Sequence, residues 1–127
     1  MSQRVSSFLD LLAWQRAVDL SVSIHDLTKS FPPHERSGLV TEMRKTSRSV
    51  AYNIAEGQQR RTTREYLRFL DIALGSRAEL ETQVRISERV GYLQRDEAIR
   101  ILAPCEEVGR LVRGLAKALK WRISPGR

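Results

Sequence analysis

The segment from Arg44 to Arg68, RKTSRSVAYNIAEGQQRRTTREYLR, holds the residues best suited to a chemical task. Arg44, Lys45, Arg48, Arg60, Arg61, Arg64 and Arg68 are basic, and only Glu56 and Glu65 oppose them. Guanidinium and ammonium groups at that density suit contact with phosphates, and a one-signed helical surface reads as a binding body for a polyanion. Basic residues recur near the C-terminus, where Arg110, Arg113, Lys117 and Lys120 follow a three-four-three spacing with no acid after Glu107. That stripe is either a solvated helix face or a second line of phosphate contacts. The latter would strengthen and orient binding without reading sequence.

Other chemistry finds no constellation. His25 and His34 lie nine residues apart around the proline pair, with no cysteine or paired carboxylates at ligand spacing. A metal site needs three or four ligands. The Glu-x-x-His pattern of di-iron bundles is absent, and GRLVRG (Gly109 to Gly114) lacks the Lys-Ser/Thr of a phosphate loop. The expectation is therefore no catalytic residue, no metal and no cofactor. Glu56 precedes Arg60 by four residues, and Glu79 and Glu81 sit beside arginines, so these acids read as helix-surface ion pairs. Tyr52, Tyr66 and Phe69 follow core-like spacing, which leaves little support for base stacking.

At 127 residues the chain is long enough for one domain with its own core. A formal charge of +7 and a sequence pI near 10.3 fit either an anionic partner or simple solubility. Cys105 stands alone, which excludes an internal disulfide and fits a small hydrophobe in a reducing compartment. The N-terminus lacks a signal-peptide core and no apolar run reaches membrane-spanning length, so a cytoplasmic protein is expected.

Three breaks, at Phe31-Pro32-Pro33, at Gly57 to Thr63 and at Gly91-Tyr92, divide the chain into four helical blocks. These span approximately 10–28, 34–57, 63–90 and 95–121 within a single domain, 1–127. Gly57 suits a C-terminal cap, and Thr62 with Glu65 has the capping-box spacing. Block one carries two apolar stripes. One is Ala13, Ala17, Leu20, Ile24 and Leu27; the other is Leu11, Trp14, Val18 and Val22. A surface helix needs only one, so the second points to bundle neighbours or to a subunit interface. In block two Leu39, Met43, Thr46, Val50, Ile54 and Gly57 form a seam with polar Ser49 and Asn53 beside it. Asn53 and Glu56 read as hydrogen-bonded structural groups, with Asn53 suited to fixing helix register. Block four keeps bundle spacing through Pro104, where a kink is expected. Four such helices on short connections predict an all-α, up-and-down antiparallel four-helix bundle.

Three ordered motifs carry a resemblance: FLDLLAWQRA from Phe8; SVAYNIAEG from Ser49 to Gly57; and YLRFLDIALGSRAELE from Tyr66 to Glu81. Together, over roughly residues 8–120, the chain resembles the small bacterial bundle proteins encoded in intervening sequences of 23S ribosomal RNA genes. It departs from their pattern at Gln58-Gln59 and at Pro104. The resemblance implies a ring-like homopentamer associated with nucleic acid, and no established enzyme activity. A related bundle that works with the reverse transcriptase of diversity-generating retroelements points the same way by analogy. The expected function is thus a non-enzymatic, oligomeric nucleic-acid-binding accessory protein, RNA favoured, with no membrane partner. The alternative is a protein-interaction scaffold whose basic face meets an acidic protein.

Overall fold

Small hydroxylated and apolar side chains alternate along the second helix, and they decide how the others approach it. The structure, a computed structural model, describes residues 2–123, with side chains from Phe8 onward. Four helices form the body: α1 (Ser2–Leu27), α2 (Thr41–Gln58), α3 (Thr63–Arg89) and α4 (Arg95–Arg122). Antiparallel register follows from cross-helix pairs. Ser21 meets Ser47 at 3.2 Å, Ser49 meets Ser76 at 2.9 Å, and Gln83 donates to Thr46 at 3.1 Å. Arg77 on α3 lies against Cys105 and Gly109 on α4, and Arg16 on α1 pairs with Glu107 on α4. The result is the expected up-and-down four-helix arrangement, with no strand among the described residues.

The core fills from the first apolar stripe of α1 and the seams of the other helices. Ala13, Ala17, Leu20 and Ile24 are buried against Met43, Val50, Ile54, Leu70, Leu80, Val84, Val108, Val112, Leu115 and Leu119. Cys105 joins them, and burial pushes its thiol above the ordinary value, as a packed hydrophobe rather than a nucleophile.

Boundaries differ from expectation in two places. Helix α1 begins at Ser2 rather than near residue 10, since nothing before Phe31 interrupts a helix. The expected helix from residue 34 instead opens with a 3-10 turn, Pro33–Glu35, and a wide turn, Arg36–Val40, before α2 starts at Thr41. The cause is local. Gly38 takes a non-helical backbone (φ −110°, ψ −111°), and Glu35 accepts a hydrogen bond from the Leu39 N–H at 3.0 Å. A Cβ on Gly38 would lie 2.7 Å from that same carboxylate oxygen. Helix α4 runs unbroken through Pro104, which sits on its half-exposed side.

Gly57 is not a cap. It is buried inside α2, which ends at Gln58, and a Cβ there would lie 2.7 Å from Tyr66 and 3.1 Å from Phe69. Its role is close approach of α2 to α3. The glycine that does end a helix is Gly91, at φ +94°, where the Tyr92 N–H reaches back to the Ser87 carbonyl at 2.8 Å. Thr62 caps α3 by accepting from the Glu65 N–H at 3.1 Å.

Each end of the bundle is tied across helices. At one end the Tyr66 hydroxyl donates to Asp10 at 2.7 Å and the Gln58 amide donates to the Asp10 carbonyl at 3.1 Å. Burial raises the Asp10 carboxyl above its ordinary value, against the lowering effect of Tyr66 and Arg122. At the other end Tyr92, its ring tilted against Phe31 at 5.4 Å between centres, donates to Glu35 at 2.8 Å and joins the two connections.

Two outcomes follow. Gly57→Ala presses on the Tyr66 ring and on the Phe69 Cβ and should cost roughly 1–3 kcal/mol in denaturant unfolding; an unchanged midpoint would refute the close-approach role. Glu35 is held below its ordinary 4.5, first by the Leu39 N–H and then by Tyr92. Stability from that carboxylate is complete above the ordinary value and is lost as pH falls through the lowered one. Tyr92→Phe should therefore lower the melting temperature at neutral pH, with a deficit that narrows on acidification. A deficit independent of pH would show that Tyr92 does not act through Glu35.

Candidate nucleic-acid interface

Helix register divides the basic residues into two ends. Arg44 stands in the first turn of α2 and Arg60 lies just past its end, with about 21 Å of helical rise between Arg44 and Gln58, so the segment that reads as one run in sequence is two groups in space. Arg44 lies half-buried near the α1–α2 connection, donating to Thr28 Oγ1 at 2.9 Å and to the His25 carbonyl at 3.1 Å. Lys45 and Arg48 are exposed on the adjoining turns of α2. Arg60, Arg61, Arg64 and Arg68 gather at the other end, around the α2–α3 turn.

Within that second group the arginines are unequal. Arg60 and Arg68 both lie over the Phe69 ring, at 4.9 and 4.6 Å from its centre. Arg60 also pairs with Glu56, and Arg68 pairs with Glu65 at 3.3 Å. Arg61 and Arg64 are exposed and enter none of the ion pairs of the described residues. The α4 stripe then adds to them. Counting helix rise from the Arg77 contact with Cys105 and Gly109 brings Lys120 level with Arg64, and Lys117 level with Leu67. Arg113 and Arg110 continue the line toward the middle of the bundle, with Asp71 level with Arg113. All four α4 cations are exposed. Sequence spacing alone could not reveal this convergence, because it depends on the register of α3 against α4.

The motif residues have structural partners. Asn53 is half-buried, and its amide donates to the Ser49 carbonyl at 2.8 Å and hydroxyl at 3.1 Å. Through Ser49 and Ser76 it reaches α3 only indirectly. Glu56 is exposed and engages Arg60, just past the end of its helix. Arg77 was not singled out in the sequence, yet it is largely buried against Glu81 at 3.1 Å and above Gly109. Glu81 also takes Arg85 at 3.1 Å, so this acid does pair with its neighbouring arginines as expected.

One aromatic was misjudged. Tyr52 is 65% exposed on the outer side of α2, whereas Tyr66 and Phe69 are partly buried. The three do not share a core face. The second stripe of α1 is also outward: Leu11 is 55% exposed, Trp14 38% and Val22 56%, while Val18 is half-buried. Beside it Val22, Arg44 and Arg48 line a shallow depression of about 250 Å³. Among the described residues no group of three or more His, Cys, Asp or Glu side chains is placed to hold a metal ion, and no helix is long and apolar enough to cross a membrane.

This geometry sits on a fold already seen elsewhere. A crystal structure of a protein of unknown function from the S23 ribosomal protein family of Bacteroides thetaiotaomicron superposes with a TM-score of 0.80. It is 21% identical, and the match covers 86% of this chain and 98% of that one, so the likeness is one of fold. No curated protein matches the chain. The family model for the 23S rRNA-intervening sequence protein matches residues 9–114, which contain α2, α3 and most of α1 and α4. The chain belongs to the 23S rRNA-intervening sequence protein family.

Proposed function

We propose that this protein is a non-enzymatic nucleic-acid-binding accessory, with RNA as the favoured polymer, acting as a ring-like oligomer. The observation that carries the reading is that Arg61, Arg64, Lys117 and Lys120 lie at one end of the bundle, exposed and with no ion-pair partner for any of them among the described residues. Cations without an acid partner keep their full value for a phosphate, whereas Arg60 and Arg68 must give up a carboxylate first. Arg110 and Arg113 extend the patch along α4. Arg44, Lys45 and Arg48 supply a second group at the opposite end.

Assembly is proposed through the outward stripe of α1. Leu11, Trp14, Val18 and Val22 run along one face, and Tyr52 lies on the neighbouring helix. Another exposed set, Ile72, Ile86 and Val90 on and just after α3, carries acidic Glu79 among it. Two different apolar faces on one chain, one beside arginines and one beside an acid, suit a head-to-tail contact, which closes into a ring when the rotation permits. A homopentamer is the state implied by resemblance to the family. Repetition of the basic end around such a ring would add avidity wherever one polymer spans neighbouring subunits.

Two measurements test this. Replacing Arg61, Arg64, Lys117 and Lys120 by Gln should weaken RNA and DNA binding for all sequences alike. It should also flatten the salt dependence by roughly 0.7–0.9 log units per phosphate contact removed. Salt-insensitive binding, or a variant that binds as well as the wild type, would refute the site. Tighter, salt-resistant capture of an acidic protein probe would favour the scaffold reading. For assembly, Trp14→Asp should yield smaller species by light scattering while helix content is kept; a monomeric wild type would reject the ring.

A further inference from the structure

We infer that the depression where α1 hands over to α2 is a phosphate-binding site for a nucleotide-class ligand. It lies at the opposite end of the bundle from Arg61 and Lys120, and a free nucleotide would satisfy it whether or not the protein binds nucleic-acid polymers. The depression has a volume of about 450 Å³. Lys29, Arg36 and Arg44 contribute three cations to its wall, and no carboxylate lines it. Pockets of this size bury small ligands, and the few charged groups in them set orientation.

The polar groups are arranged for an anion. Arg44 is clamped by its own scaffold: Nε donates to Thr28 Oγ1 at 2.9 Å and Nη2 to the His25 carbonyl at 3.1 Å. A guanidinium fixed in this way retains Nη1 as a donor, and fixed donors lose little entropy on binding. The two hydroxyls in the wall are already committed, Thr28 to the Ile24 carbonyl at 2.8 Å and Thr41 to the Arg36 carbonyl. The remaining donors are therefore cationic N–H groups. Arg36 has no ion-pair partner among the described residues, and Lys29 reaches only exposed Asp26 at 3.3 Å, an exchangeable surface pair. Three like charges in a depression whose wall holds no carboxylate repel each other, and a bound phosphate relieves that repulsion.

Shape narrows the ligand. A bare phosphate would leave most of the volume empty, while exposed Pro33 and the edges of buried Phe31 and Val40 supply an apolar side to the wall beside the cations. A phosphate carried on a flat, partly apolar body meets both surfaces. That is the chemistry of a nucleoside monophosphate, free or at the end of a strand.

The test uses the full-length protein and calorimetry at constant ionic strength, with AMP, adenosine, and a short oligoribonucleotide with and without a 5′-phosphate. AMP should bind and adenosine should not. Arg36→Gln should weaken AMP by roughly tenfold, the scale of one charge-assisted hydrogen bond. Arg36 is exposed, so its melting temperature should stay unchanged; Arg44→Gln also removes the Thr28 clamp and is read alongside its own melting curve. Amide shifts on adding AMP should centre on Thr28, Phe31 and Thr41. Preference for the 5′-phosphorylated oligomer would identify a strand end as the source, and AMP binding alone a free nucleotide; either upholds the site. Equal binding of adenosine, no AMP binding at millimolar concentration, shifts centred elsewhere, or an unaffected Arg36→Gln variant would each overturn it.

Discussion

Where α2 meets its neighbours, the side chains are short enough that helix backbones come close and polar enough that they must meet a partner. Ser47 finds Ser21 on α1; Ser49 finds Ser76, and Thr46 finds Gln83, on α3. A shift by one turn would set Ile72 or Leu80 opposite Ser49 in place of Ser76, and an unsatisfied buried polar group costs about 1–3 kcal/mol. Gly57 closes the same seam from the steric side, because a missing Cβ lets the Tyr66 ring and the Phe69 Cβ lie against α2. The α2–α3 register is thus set twice over. Everything on the surface inherits it, including the separation of Arg44 from Arg60 and the stacking of Arg60 and Arg68 on Phe69.

The architecture was largely legible because it rests on periodicity and punctuation. The core stripe of α1, the seams of α3 and α4, the Thr62 cap and the Gly91 stop all act within a few residues of chain. Two local features misled. Gly57 has the position of a C-cap, but the demand on it comes from Tyr66 nine residues later, which spacing within α2 cannot express. The stretch from His34 to Val40 keeps helical composition, yet Gly38 and the Glu35 carboxylate hold it out of the α-helix.

The candidate site was legible only as composition. Charge counting finds residue types suited to a polyanion, but it merges two ends of a helix into one segment and cannot see that α4 brings Lys117 and Lys120 level with the start of α3. Tyr52 shows the same limit. Its spacing from Tyr66 and Phe69 suggests one face, but those residues sit on another helix, so periodicity does not carry across the turn. Exposure of Tyr52 is decided by the rotation of α2 about its axis, and that rotation is fixed by the serine contacts on either side.

Counting positive charges also overstates what a polyanion can use. Arg60 and Arg68 are each held by a carboxylate and by the face of Phe69, and Arg77 is largely buried with Glu81 and Cys105. For such a group a phosphate must replace an existing partner, and the net gain is the difference between two similar contacts. On the proposed reading Arg61, Arg64, Lys117 and Lys120, which have no ion-pair partner among the described residues, would exchange only water and condensed ions. Binding energy should therefore concentrate in the unpaired cations even where paired ones are closer to the ligand. The paired arginines then serve chiefly to brace the α2–α3 turn, keeping Arg61 and Arg64 on a firm support beside α4.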